Sequence, residues 1–148
     1  MAATRTIRLL VVEDSPSYRY FIETAFQGHS GEFQWELTVV TDGQMALDYL
    51  FAEEKGRGPL PEIMLLDWNL PKVNGSEVLR RMKEHAKLRR IPVIVFSSSE
   101  AERDIHEAYD NHANGYITKP DSSKVMETII EAIERFWIAI AQLPKVAR

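Results

Sequence analysis

The 148-residue sequence contains no cysteine. Disulfide bonds, thiol nucleophiles, iron–sulfur clusters and cysteine-bound zinc are therefore excluded. Small secreted domains often depend on disulfides for stability, so the lack of cysteine favours a cytoplasmic location. A chain of this length can bury one hydrophobic core, which predicts a single domain over residues 1–148.

Long hydrophobic runs are also missing from the sequence. The apolar stretch closest to the N-terminus, Leu9–Val12, is too short for the hydrophobic core of a signal peptide. No stretch approaches the ~20 apolar residues that a membrane-spanning helix needs. The sequence therefore predicts a protein that is neither exported nor embedded in a membrane.

An excess of positive charge is absent as well. The chain has 18 Lys and Arg against 22 Asp and Glu, which gives a formal net charge of −4. Domains that bind nucleic acid commonly present a basic surface. This charge balance argues against nucleic acid as a partner.

Short apolar segments alternate with longer amphipathic segments along the chain. The short segments have the nearly continuous apolar character of strands in a parallel sheet, which are buried on both faces. They are residues 7–12, 35–40, 63–66, 92–96 and 115–118. Helical spacing of apolar residues follows at about 15–27, 43–54, 76–85, 100–111 and 123–143. Tyr18 lies on the apolar stripe of the first predicted helix, and Ser99 and Ser122 are predicted to cap the last two. This alternation predicts an α/β fold: a five-stranded parallel sheet in a doubly wound, three-layer α/β/α sandwich with a long C-terminal helix.

Polar residues stand at the ends of four predicted strands. They are Glu13 and Asp14, Asp67, Ser97, and Lys119. In open α/β sheets, ligands bind beyond the carboxyl ends of the strands. Each residue alone has an ordinary explanation as a helix cap, a turn residue or a solvated charge. Three carboxylates, a hydroxyl and an ammonium at one edge predict a shared site instead.

The chemistry of this mixture is that of phosphoryl transfer. Three neighbouring carboxylates favour a divalent cation, and an oxygen ligand set that retains water suits Mg²⁺. Asp67 is the expected nucleophile toward phosphorus. Lys119 and Ser97 are expected to contact oxygens of the transferred group. The site is therefore predicted to form an aspartyl phosphate on Asp67.

Four segments resemble the receiver domain of bacterial two-component response regulators. They are Val11–Asp14, Leu65–Pro71 with Gly75, Pro92–Ser97 and Gly115–Pro120. They occur in the order and spacing of that family, and the likeness covers roughly residues 7–135. The resemblance implies the flavodoxin-like fold of receivers.

The resemblance also implies a role for each acidic residue. Asp67 matches the residue that accepts the phosphoryl group. Glu13 and Asp14 match the acidic pair of the metal site, with Asp14 as a direct ligand and Glu13 acting through water. Asn69 matches the position whose main-chain carbonyl contacts the metal.

Three further residues match the family's switch. Lys119 matches the lysine that pairs with the phosphoryl group, Ser97 the switch hydroxyl and Tyr116 the switch aromatic. Receivers often have threonine where this chain has Ser97, and aspartate where it has Glu13. Serine lacks the methyl group that restricts threonine's rotamer, so we expect a less sharply two-state switch.

The resemblance implies a signalling protein, not an enzyme, that receives its phosphoryl group from a partner histidine kinase. Residues 136–148 are interpreted as an extension of the last helix and a tail, without an output domain. The long loop before the third strand and the ending Phe136–Pro144 resemble the small regulators paired with phytochrome-type light-sensing kinases.

The last predicted helix has more apolar residues than one buried face requires. Trp137 either packs back on the domain or belongs to an exposed apolar patch used as an interface, which is the preferred interpretation. Phe136, Trp137 and Ile140 are the expected interface residues. We therefore expect a homodimer through the face formed by strand 4, helix 4, strand 5 and helix 5.

Two alternative functions remain open at this point. An aspartate-nucleophile phosphatase of the haloacid dehalogenase type also uses a strand-end aspartate and Mg²⁺. That class places its second acid two residues after the nucleophile, where this chain has Asn69, and the chain lacks the substrate cap insertion. A degenerate receiver that serves as an unphosphorylated scaffold is the other alternative, and the intact site residues argue against it.

Overall fold

A computed structural model of the chain describes residues 5–27, 33–52 and 58–144. The strands are β1 Arg5–Val12, β2 Phe33–Val40, β3 Ile63–Asp67, β4 Val93–Ser97 and β5 Gly115–Thr118. All neighbouring strands pair in parallel, in the order β2-β1-β3-β4-β5. The helices are α1 Pro16–Gln27, α2 Gly43–Ala52, α3 Gly75–Glu84, α4 Glu102–Asp110 and α5 Ser123–Ile133. A π-helical turn, Glu134–Ile140, continues α5.

The sheet separates two hydrophobic cores. Along β1, Leu10 and Val12 face the core shared with α2, α3 and α4, while Leu9 and Val11 face the core shared with α1 and α5. Strands β3 and β4 alternate in the same way, so the central strands are buried on both faces. This explains their continuous apolar sequence. The architecture confirms the predicted parallel, three-layer, doubly wound sandwich.

The helix boundaries follow local caps, and several differ from the sequence prediction. Ser122 caps α5 as predicted, because its Oγ accepts a hydrogen bond from the amide of Val125 at 3.2 Å. Helix α3 is capped by Asn74 and begins at Gly75, one residue earlier than predicted. The predicted end of α2 at Glu54 lies outside the described residues.

Helix α4 begins at Glu102 and not at Glu100, so the prediction of a helix directly after a Ser99 cap is wrong. The physical reason is a local hydrogen-bonded turn. The hydroxyl of Ser99 accepts from the amide of Ala101 at 3.1 Å and donates to Asp104 at 2.5 Å. Residues 99–101 therefore form a connection to the helix instead of its first turn.

The last helix ends at Ile140, short of the predicted Leu143. Its final turn is π-helical, and the amide of Ala141 closes it by donating to the carbonyl of Phe136 at 2.7 Å. Trp137 is half-buried against the α1–α5 core, which corrects the preferred interpretation of it as an exposed residue. Phe136 is 53% exposed. The side chain of Ile140 lies outside what the structure describes.

Among the described residues, no helix combines the length and the apolar character that crossing a membrane requires.

Candidate functional site

The sheet topology creates a crevice between the ends of β1 and β3. From β1 the chain moves outward to β2 and then returns to β3 on the other side of β1. Such a reversal leaves the carboxyl ends of the two neighbouring strands open for a ligand. Glu13 and Asp14 follow β1 directly, and Asp67 is the last residue of β3. The fold therefore brings the predicted acidic residues to one place.

The carboxylates of Glu13, Asp14 and Asp67 form an acidic cluster. Each offers an oxygen that lies within 4.8 Å of the others. Glu13 and Asp67 are buried, while Asp14 is exposed at the mouth of the crevice. Carboxylate oxygens at this spacing, with one side open to water, fit a divalent cation such as Mg²⁺. Asn69 lies in the connection that follows β3, and its role as a carbonyl ligand stays a prediction.

Lys119, just after β5, reaches across the crevice to two of these carboxylates. Its Nζ lies 2.8 Å from Glu13 Oε1, 3.0 Å from Glu13 Oε2 and 3.2 Å from Asp67 Oδ2. Its side chain is only 5% exposed. Burial alone would lower the pKa of Lys119, but the hydrogen bond to Glu13 and the charge of Asp67 outweigh burial and raise that pKa. Lys119 is thus a permanent positive charge beside Asp67.

Asp67 lies in surroundings that disfavour its negative charge. Burial and the neighbouring charge of Glu13 raise the pKa of Asp67 to about 7, although Lys119 acts in the opposite direction. The ordinary value for this carboxyl is 3.8. Any added cation in the crevice favours the charged carboxylate that nucleophilic attack requires.

The first residue of α3, Gly75, approaches the main chain of Asp67 very closely. A Cβ atom on Gly75 would stand 2.5 Å from the carbonyl oxygen of Asp67, so a side chain does not fit there. The amide of Gly75 also donates to the carbonyl of Trp68 at 3.0 Å. Glycine at this position therefore lets α3 begin directly beside the acidic cluster.

Ser97 and Tyr116, the two predicted switch residues, are connected through Ser99. Ser97 is fully buried, and its Oγ accepts a hydrogen bond from the amide of Ser99 at 3.1 Å. The hydroxyl of Tyr116 donates to the carbonyl of Ser99 at 2.9 Å. The Ser97 hydroxyl is therefore hydrogen-bonded to the segment that leads into α4. The sequence pattern indicated only a capping role for Ser99.

Tyr18 also contacts the site, although its sequence pattern predicted only a place on the apolar stripe of α1. Its ring lies 4.6 Å from the Nζ of Lys119. Tyr18 and the Lys119 region are distant in sequence, since the bond from Tyr18 to Pro120 joins residues 102 positions apart. The spacing of apolar residues along one helix carries no information about such a contact, so the contact is visible only in the folded structure.

Comparison with known proteins agrees with this geometry. Residues 9–131 match the response regulator receiver domain. The chain is 39% identical over 138 residues to the probable methanogenesis regulatory protein FilR2 of Methanothrix harundinacea, covering 92% of this chain and 86% of that protein. It is 35% identical over 137 residues to the response regulator Rcp1 of Synechocystis sp., covering 92% of each.

A solved structure shares the fold over nearly the whole chain. The phosphorylated cyanobacterial phytochrome response regulator RcpA has a TM-score of 0.86 and 38% identity, covering 95% of this chain and 99% of that one. Sequence and fold thus agree on the same family. This chain belongs to the response regulator receiver domains.

Proposed function

We propose that this protein is a signalling domain in which Asp67 accepts a phosphoryl group from a histidine of a partner kinase. The observation that carries the proposal is the position of Asp67. Its carboxylate lies at the end of β3, in contact with the Lys119 ammonium and beside two further carboxylates. Receiver domains are signalling proteins, and the family implies a histidine kinase as the partner.

The transfer exchanges one bond to phosphorus for another. A carboxylate oxygen of Asp67 attacks the phosphorus of the phosphohistidine, the P–N bond breaks, and the histidine nitrogen takes up a proton. Lys119 is close enough to Asp67 to neutralise charge on an oxygen of the transferred group. Ser97 is the proposed hydrogen-bond donor to another of those oxygens.

Glu13, Asp14 and Asp67 are the proposed ligands of a divalent metal, together with the main-chain carbonyl of Asn69. The all-oxygen donor set supports Mg²⁺ as the metal. These residues would hold the cation where it would supply positive charge opposite the phosphoryl oxygens.

The response to phosphorylation is proposed to pass through Ser97 and Tyr116. Turning the Ser97 hydroxyl toward a phosphoryl oxygen removes the acceptor for the Ser99 amide. Tyr116 is bonded to the carbonyl of that same Ser99. These two hydrogen bonds support a path from Asp67 to α4 and to its outer surface.

The proposal extends to partners and location. RcpA is a cyanobacterial phytochrome response regulator, which supports a phytochrome-type kinase as the partner of this chain. We propose that the protein forms a homodimer through the β4-α4-β5-α5 face, does not bind nucleic acid and is located in the cytoplasm. The pairing is tested by comparing the rates of phosphotransfer from two kinases. We expect transfer from a phytochrome-type kinase to be faster than transfer from a kinase with an unrelated sensor.

The main test is incubation with acetyl phosphate followed by intact-mass measurement. We expect one added phosphoryl group in wild type with Mg²⁺, and none in Asp67→Asn. Full labelling in EDTA would contradict the metal requirement. Continuous hydrolysis of a generic phosphate ester would instead favour the haloacid dehalogenase alternative, which the family assignment does not favour.

A further inference from the structure

The first turn of α1 places an aromatic ring against the lysine of the site. The ring centroid of Tyr18 lies 4.6 Å from the Nζ of Lys119. The hydroxyl of Tyr18 donates to the carbonyl of Pro120 at 3.1 Å, so the same side chain also binds the main chain next to Lys119. Tyr18 therefore contacts both the head group and the backbone of the β5–α5 connection.

The Tyr18 ring is fixed by its neighbours. Phe21 and Phe96 pack edge-on against it, with centroids 6.3 and 6.4 Å away. Phe96 is the residue that pairs in register with Asp67 across β3 and β4. The Tyr18 ring thus packs against β4, which is the neighbour of the strand β3 that carries Asp67.

A second set of contacts ties Tyr18 to Glu13. The amide of Tyr18 donates to the hydroxyl of Ser15 at 3.5 Å, and the amide of Ser15 donates to Glu13 Oε2 at 3.1 Å. Glu13 in turn accepts from Lys119. Together with the contact between Tyr18 and Lys119, these bonds form a closed cycle. It runs from Glu13 through Ser15 and Tyr18 to the ammonium of Lys119 and back to Glu13.

The chemistry of these contacts gives Tyr18 a specific part. The ammonium of Lys119 has three N–H donors, and its close contacts are the oxygens of Glu13 and Asp67. An aromatic face attracts a cation through its quadrupole and offers no oxygen acceptor that would compete with a phosphoryl oxygen for those donors. The ring therefore holds the ammonium while leaving its donors free to move from carboxylate to phosphoryl oxygens. An acidic side chain at this position would compete for the same donors.

We propose that Tyr18 is a positioning residue for phosphoryl transfer, holding the Lys119 ammonium where the incoming phosphoryl oxygen needs it. Tyr18 acts through Lys119 and does not itself contact the transferred group. This inference rests on the proposed function, because it assigns a part within the same site.

The test compares initial rates of phosphorylation by acetyl phosphate at saturating Mg²⁺. Tyr18→Leu removes the ring, whereas Tyr18→Phe keeps the ring and removes only the hydroxyl. We expect the maximum rate to fall about 3- to 10-fold in Tyr18→Leu and to stay within about twofold of wild type in Tyr18→Phe. Tyr20→Leu is the matched control, since Tyr20 lies on the same helix and is 65% exposed.

A double-mutant cycle separates positioning from a general structural effect. In the Lys119→Ala background, Tyr18→Leu should cause no further loss of rate, because the ring has no ammonium left to hold. An equal loss in both backgrounds, or a Tyr18→Leu rate equal to that of wild type, would overturn the inference. Circular dichroism of Tyr18→Leu shows whether the slow variant is folded. Failure of wild type and Tyr20→Leu to accept a phosphoryl group would instead contradict the proposed function itself.

Discussion

At the scale of single residues, the site depends on a carboxylate whose surroundings oppose its charge. Asp67 is buried beside Glu13 and Asp14, with the Lys119 ammonium as its close positive neighbour. Like charges held close together should lower the free energy of unfolding and raise the affinity of the crevice for a divalent cation.

The pH dependence of stability follows from Asp67. Burial and the charge of Glu13 raise its pKa to about 7 in the folded protein, against 3.8 ordinarily. Between these values the folded state holds a proton that the unfolded state releases, so this residue lowers the free energy of unfolding as pH rises from about 4 to 7. Asp67→Asn lacks that effect.

We therefore expect Asp67→Asn to be about 1 to 2 kcal/mol more stable than wild type at pH 8 in EDTA. The difference should shrink toward zero at pH 4. Urea unfolding across this range measures it, with the exposed Asp48→Asn as control. A stabilisation that is the same at both pH values would contradict the assigned cause.

Lys119→Ala should separate metal binding from phosphoryl transfer. A lysine ammonium cannot ligate Mg²⁺ and repels it, so removing the ammonium should leave metal affinity unchanged or increase it. Phosphorylation should become slower. Mg²⁺ titration followed by the fluorescence of Trp68, which adjoins Asp67 in sequence, measures the affinity, and Lys87→Ala is an exposed control. A large loss of Mg²⁺ affinity would show that the role of Lys119 is misassigned.

At the scale of secondary structure, the sequence predicts most of what positions the site. Strands buried on both faces have continuous apolar sequences, and parallel strands bring their carboxyl ends to one edge, so the sequence alone predicts that Glu13, Asp67 and Lys119 lie together. The start of α4 and the π-helical end of α5 could not be predicted, because they depend on hydrogen bonds such as that from Ser99 to Asp104. The contact of Tyr18 with Lys119 likewise exists only through space.

The Ser99 turn provides a prediction at this scale. Ser99→Ala removes the hydroxyl that accepts from Ala101 and donates to Asp104. We expect a loss of about 1 kcal/mol of stability, with faster amide hydrogen exchange at the start of α4. Ser98→Ala is the matched control, because Ser98 is the exposed neighbour. Equal amide exchange rates at the start of α4 in Ser99→Ala and Ser98→Ala would show that the Ser99 turn does not stabilise the start of this helix.

At the scale of the whole molecule, one face presents an apolar groove of about 380 Å³. It lies between α4, β5 and the end of α5, and its lining includes Tyr109, Tyr116, Phe136 and Trp137. Tyr109 and Phe136 are each at least half exposed. Because Tyr116 also bonds to Ser99, this face is connected to the segment that follows Ser97.

We expect this face to form the homodimer, and Phe136 to contribute more than the half-buried Trp137. Burial of a large apolar side chain is worth about 1.5 to 3 kcal/mol, so Phe136→Glu should weaken dimerisation by about tenfold or more. Phosphorylation should shift the dimer constant by about 5- to 150-fold, not switch it fully. Sedimentation equilibrium with and without phosphorylation measures both, with the exposed Tyr20→Glu as control. A wild type that is monomeric in both states would contradict the dimer.

The central claim is that the phosphoryl group resides on Asp67, and the most direct measurement locates it chemically. Borohydride reduces an aspartyl phosphate to homoserine, and tandem mass spectrometry of the peptides that contain Asp14 and Asp67 then identifies the modified residue. After phosphorylation with Mg²⁺, we predict homoserine at position 67 and unmodified aspartate at position 14. Homoserine at another position, or a phosphorylated protein without homoserine at position 67, would contradict the account.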